Sequence, residues 1–104
     1  MIESLDELKE AIKQRLSKII FDSHFYDSMK KRPYLSEGLV ISMLKEFERY
    51  LGFQTHEVRE SIRYRVGISL SRKYTLVVVV EVNESLNIKT SWKTSRKWQK
   101  AIQK

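Results

Sequence analysis

Apolar residues fall at helical spacing in two stretches of the chain and at alternate positions in its second half. The first stretch is "SLDELKEAIKQRLSKI", where Leu5, Leu8, Ile12, Leu16 and Ile19 draw one stripe. Ser4 can cap that helix at its N-terminus, with Glu7 completing a capping box. A short extended piece, "IIFDS", follows, then a turn or short helix over His24 to Lys31. Pro33 breaks the chain, because the residue before a proline is pushed out of helical geometry. Ser36 then caps a second long helix, "EGLVISMLKEFERYLG". Its buried stripe is Val40, Met43, Leu44, Phe47 and Leu51, and Gly52 is its stop.

From Val58 onward the period is two. Val58, Ile62, Tyr64, Val66, Ile68 and Leu70 alternate with Arg59, Ser61, Arg63, Arg65, Gly67 and Ser69. "LSRKY" predicts a hairpin turn, and "YTLVVVVEV" a central strand apolar on both faces. "ESLN" turns again before a third strand, "LNIKTSW". "TSRKWQKAIQK" is expected as a short basic C-terminal helix capped by Thr94 or Ser95. The expected fold class is α+β, with helices packed on one face of a small antiparallel meander. Parity sends Val58, Ile62, Tyr64, Val66, Leu76, Val78, Val80, Ile88 and Trp92 towards the helices. It sends Arg59, Arg63, Arg65, Glu81, Lys89, Ser91 and Lys93 to the other, solvent-facing side.

With 104 residues, the chain fits one domain with its own core. Charge changes the picture more than size does. Residues 1–84 carry 14 basic and 13 acidic side chains, whereas residues 85–104 carry six basic and none acidic. Nearly all of the net charge of +7 therefore sits in the last fifth, together with Trp92 and Trp98. Such asymmetry suits a polyanion or an acidic protein surface. A basic tail kept for solubility is the plainer reading. The acidic N-terminus lacks the features of a signal peptide, and there is no cysteine, so an intracellular, cytoplasmic home is expected.

Few kinds of chemistry fit these residues. His24 and His56 lie far apart without a carboxylate cluster, so no metal or cofactor site is legible. The three glycines are scattered, so no phosphate-cradling loop is present. What remains is arginine, lysine, hydroxyls and aromatics. Arg63, Arg65 and Lys89 on neighbouring strands can hold phosphates, with Arg59, Lys93, Arg96, Lys97 and Lys100 extending the cationic surface. Trp98 can stack a base or staple the last helix to the sheet. Metal-independent RNA cleavage needs a proton acceptor, a proton donor and cations around the phosphate. His24, whose ordinary pKa is about 6.5, is the acid–base candidate, with Arg65 and Lys89 as charge stabilisers. The plainer reading makes His24 structural and the arginines solvated strand residues; His56 reads as a loop residue.

The segment "FDSHFYDSMKKRPYLSEGLV" resembles the opening of a family of small RelE-like proteins, carried by Ser23, His24, Met29, Arg32, Ser36, Glu37 and Val40. "RYRVGIS", "LVVVVEV" and "NIKTSWK" are similar to that family's three-strand ending, with Ile88, Thr90, Ser91 and Trp92 closing the last strand. The likeness spans roughly residues 18 to 98 and leaves the helix at residues 4–17 as an N-terminal addition. It implies the small α+β fold of the RelE/ParE superfamily, whose members cleave ribosome-bound mRNA, poison gyrase or have no known activity. Arg63, Arg65 and Lys89 stand where RelE ribonucleases place basic residues on the sheet. The C-terminal tyrosine of RelE-type cleavage has no counterpart, since no tyrosine follows Tyr74.

The leading expectation is an RNA-binding RelE-like protein, with metal-independent endoribonuclease activity of toxin type as its possible chemistry. The alternatives are a non-catalytic interaction module, binding an acidic antitoxin-like partner or a second copy as a homodimer, and a small DNA-binding protein. No membrane partner is expected.

Overall fold

A computed structural model describes residues 2–95. Within them the chain runs α1 (Leu5–Lys13), β1 (Ile19–Phe21), α2 (Ser23–Lys31), α3 (Glu37–Leu44), a 3-10 turn (Phe47–Arg49), β2 (Tyr50–Val58), β3 (Ser61–Ser69), β4 (Tyr74–Val82) and β5 (Leu86–Ser95). The strands form one mixed sheet in the order β1-β5-β4-β3-β2. β1 is parallel to β5, and every other pairing is antiparallel.

Side chains in the flanking turns set where the helices begin. The Ser4 hydroxyl accepts from the Glu7 amide at 3.1 Å, and Ser36 accepts from the Leu39 amide at 3.0 Å. Asp22 caps α2 by accepting from the His24 amide at 3.1 Å. α2 stops as Pro33 dictates, with Arg32 already extended at φ −127° and ψ 95°.

One apolar core lies between the helices and one face of the sheet. Leu8 and Ile12 from α1, Phe25 from α2, and Val40, Met43 and Leu44 from α3 meet Tyr64, Val66, Ile68, Leu76, Val78, Val80, Leu86 and Ile88. Of the residues expected to face the helices, Ile62, Tyr64, Val66, Leu76, Val78, Val80 and Ile88 do so. The central position expected for Tyr74–Val82 holds, since β4 is the third of five strands. Its other face is not open to water, because Thr75, Val77 and Val79 are buried there as well.

Four expectations need correction. The second helix ends at Leu44, not near Leu51, because Glu46 leaves helical geometry (φ −89°, ψ 68°). The buried Tyr50 phenol then donates to the Leu44 carbonyl at 2.7 Å, satisfying one orphan acceptor of the helix end. Tyr50 thereby opens a strand, and His56, expected in a loop, lies within it. With β2 and the parallel β1 added, the expected antiparallel meander of three strands is a mixed sheet of five.

Arg59 is not on the sheet face either. Val58 pairs with Ser61, which leaves Arg59 and Glu60 as a two-residue turn, with Arg59 at φ 57°. That register also puts Val58 opposite Ser61, on the face away from the helices.

The third correction has a single cause. Val79 pairs with Thr90 but Val80 pairs with Ile88, so Lys89 is an extra, bulged residue in β5. Beyond it the side-chain alternation reverses. Trp92 falls opposite Val77, on the face away from the helices, while Ser91 falls opposite Val78 and is buried. Lys93 moves to the helix side, where its ammonium lies 4.7 Å from the Tyr34 ring centroid and 4.8 Å from that of Tyr74.

Finally, Thr94 is followed by Ser95 within β5, so Thr94 caps no helix, and the described chain ends in a strand. The rest of the expected C-terminal helix lies outside the described residues. No helix among those described is long and apolar enough to cross a membrane.

The Tyr50 bond gives a direct test of how α3 is terminated. Tyr50→Phe leaves the Leu44 carbonyl buried without its donor and lowers the unfolding free energy by about 1–3 kcal/mol, with an unchanged urea m-value. A variant as stable as the parent would show that the bond contributes nothing net.

Candidate functional site

The bulge at Lys89 builds the site. Turned out of the ladder, its ammonium sits 3.3 Å from Asp22 Oδ1 and 3.4 Å from Glu81 Oε2. Glu81 also takes Arg63 Nε at 3.3 Å. Asp22 precedes α2, Glu81 is the penultimate residue of β4, and Arg63 lies across from Glu81 on β3. One chain of alternating charge thus ties α2 to three elements of the sheet. These side chains are less than a third exposed, so solvent screens them less than an ordinary surface pair.

Both carboxyls titrate low. Burial alone would raise the Asp22 carboxyl, but the His24 amide and the Lys89 ammonium outweigh it. Burial would likewise raise Glu81, and hydrogen bonds from Ser61, Arg63 and Lys89 overcome it.

Next to this chain lies a cleft of about 430 Å³ between α2 and the sheet. His24, Asp27, Ser28 and Lys31 line it from one face of α2, at helical spacings of three, four and seven. Arg32 follows them, and Arg63, Lys89 and Thr90 form the opposite wall. The Ser28 and Thr90 hydroxyls meet at 2.7 Å, and Ser28 Oγ also donates to the His24 carbonyl at 3.0 Å. That contact fixes the helix against β5. The His24 imidazole is exposed and makes no side-chain hydrogen bond among the described residues.

Donor supply decides what the cleft can hold. Lys31 and Arg32 have no acidic partner among the described residues. Arg63 commits one of its five N–H donors to Glu81, leaving four. Asp22, Asp27 and Glu81 offset most of the charge of Lys31, Arg32, Arg63 and Lys89. The cleft keeps an excess of one positive charge, or two with His24 protonated. It therefore suits one or two phosphates held by directed donors, not a long polyanion held by charge alone.

The expected site residues separate accordingly. His24, Lys89 and Arg63 come together in the cleft. Arg65 does not: it stands opposite Val79 and Gln54, one inward-facing residue further along β3, and lines no part of it. Arg59 is in the turn, and Lys93 is held by Tyr34 and Tyr74. Arg96, Lys97, Trp98 and Lys100 lie outside the described residues. Lys31, Arg32 and Asp27 were missed as site residues, although the helical face that Asp27 and Lys31 share with His24 was present in "SHFYDSMKKR".

A larger cleft, about 800 Å³, opens on the other side of Glu81 between α1 and the ends of β3 and β4. Glu7, Glu10 and Glu60 line it against a single arginine, Arg15. It is unsuited to a polyanion. Among the described residues no cluster of metal-ligating side chains occurs.

No family model matches the chain, no curated protein matches it, and no solved structure matches its fold.

The ion-pair chain predicts an acid-sensitive fold. Asp22 and Glu81 have folded pKa values below their ordinary 3.8 and 4.5. The stability they contribute is full above those values and is lost as pH falls through the depressed folded ones. Glu81→Gln should lower stability at neutral pH by about 1–3 kcal/mol, leaving Arg63 and Lys89 short of a counter-charge. It should also reduce the further loss on acidification. Urea midpoints of parent and variant between neutral and acidic pH measure both effects. An identical acid loss in the two proteins would remove Glu81 from the explanation.

Proposed function

We propose that the protein binds single-stranded RNA through the cleft between α2 and the sheet, as a RelE-like protein whose chemistry is metal-independent RNA cleavage. The observation that carries this reading is the meeting of an exposed imidazole, His24, with the donors of Lys31, Arg32 and Arg63 in one cleft. A backbone phosphate seated on those donors brings the adjoining ribose 2′-hydroxyl towards an imidazole that can take and give a proton.

In that chemistry His24, neutral, takes the 2′-hydroxyl proton as the 2′-oxygen attacks phosphorus. The P–O5′ bond breaks, and the leaving oxygen takes a proton from the imidazolium so formed or from water. The products are a 2′,3′-cyclic phosphate and a 5′-hydroxyl. Arg63, Arg32 and Lys31 stabilise the extra charge on the phosphoryl oxygens. Lys89 is a positioning residue, because two of its three N–H donors face Asp22 and Glu81. The basic residues beyond Ser95 add phosphate contacts in this reading.

A binding module without catalysis is the second reading. The small net charge of the cleft favours it, since Asp22 and Glu81 already neutralise Lys89 and Arg63.

Incubation of the purified protein with mixed-sequence RNA in EDTA, followed by end-mapping and a salt titration of affinity, tests both. Affinity should fall with salt, and the log–log slope should flatten by about 0.7 for each of Lys31→Ala and Arg32→Ala. His24→Ala should slow cleavage by about 10²–10⁴ and leave affinity unchanged. Binding without cleavage by the parent supports the second reading. Salt-insensitive binding, or none at low salt, removes nucleic acid as the partner.

A further inference from the structure

β2 is an edge strand of nine residues, and its outer edge is open among the described residues. It pairs with β3 alone, and no backbone group of residues 51–58 bonds to another element among the described residues. The two-residue turn closes on the Val58–Ser61 pair. By antiparallel alternation, the N–H and C=O groups of Val58, His56 and Gln54 then point inward to β3. Those of Glu57, Thr55 and Phe53 point outward. Thr55, His56 and Glu57 are exposed.

Natural sheets block such edges with lysine, proline, short length or a covering element. β2 has neither lysine nor proline, and its only irregularity lies at its start, between Tyr50 and Gly52. The opposite edge is protected. β1 is three residues long there, and beyond it α2 and Tyr34 cover β5 through the Ser28–Thr90 contact and a 2.9 Å bond from the Lys93 amide to the Tyr34 hydroxyl.

We infer that β2 is the interface of a symmetric dimer, pairing antiparallel with β2 of a second copy about a two-fold axis at Thr55. A second copy is the occupant the edge selects, for two reasons. In a chain of net charge +7, β2 itself carries no lysine or arginine, so no cation of either copy lies on the strand that meets the other. Among the described residues only one edge is long and open, so association closes at two and does not propagate. In this register Thr55 faces Thr55, Phe53 faces Glu57, and about six backbone hydrogen bonds form.

The dimer also gives Arg65 a place. Gln54 lies beside Arg65, and His56 beside Arg63. Across the new junction, Gln54 of one copy meets His56 of the other. The row Arg65–Gln54–His56–Arg63 therefore spans both copies on the face away from the helices. Its two arginines stand three strand spacings, about 14 Å, apart. This extends a cationic surface across the dimer without depending on the proposed RNA chemistry.

Sedimentation of the full chain tests the interface, with cysteine trapping as a second readout. The parent should sediment as a dimer of the 12.4 kDa chain. Thr55→Pro removes an outward-facing N–H and leaves the β3 ladder intact, and Thr55→Lys sets two like charges face to face at the axis. Both should sediment as monomers with an unchanged far-ultraviolet circular dichroism spectrum. The chain has no cysteine, so Thr55→Cys should yield a single disulfide-linked dimer under mild oxidation, against no background. A monomeric parent overturns the inference. So does a dimer that survives both Thr55→Pro and Thr55→Lys and is not trapped by Thr55→Cys. RNA binding is measured separately on the monomeric variants, so loss of the dimer and loss of the RNA reading are distinguishable.

Discussion

The ammonium of Lys89, held between Asp22 and Glu81, is the contact on which the arrangement of this protein's site depends. It lies where the ladder of the sheet is broken by one extra residue, and that break turns it towards the start of α2. Without a cation at this point, two partly buried carboxylates would face each other across the junction of helix and sheet. With it, the Asp22 cap, the first turn of α2 and the end of β4 are fixed together. His24 is two residues from that junction, and its position follows from it.

The hydrophobic core has a different role. It sets the layers, with three helices on one face of a five-stranded sheet among the described residues, and would do so with many charge patterns on the surface. The charge pattern decides what each cleft can accept. Glu81 stands between the two clefts, lining the larger one while its carboxylate binds the Arg63 and Lys89 that line the smaller. One side presents glutamates, and the other presents lysine, arginine and an imidazole. The larger cleft is thereby the worse candidate for a phosphate, despite its volume.

Local rules made much of the fold legible. Ser4, Ser36 and Pro33 act within a few residues of themselves, and each acts as its chemistry dictates. β2 was hidden because Phe47 and Leu51 continue the stripe of α3, while the break at Glu46 and the bond from Tyr50 to Leu44 leave no mark in the apolar pattern. The bulge was hidden because alternation in "LNIKTSW" is unbroken on paper, while the extra residue exists only relative to β4. From it came the wrong faces for Ser91, Trp92 and Lys93. It also explains why Arg63, not Arg65, shares the cleft with His24. The grouping of His24, Asp27, Ser28 and Lys31 was readable once α2 was taken as a full helix.

The central claim is that a polyanion, if bound, enters the cleft that Lys89 organises. Amide chemical-shift mapping of the isotope-labelled protein with a short unlabelled oligoribonucleotide tests it most directly. The account predicts shifts concentrated at His24, Asp27, Lys31, Arg32, Arg63, Lys89 and Thr90, with Glu7, Glu10 and Glu60 unmoved. Shifts centred on the glutamate-lined cleft, or none in α2, would contradict it.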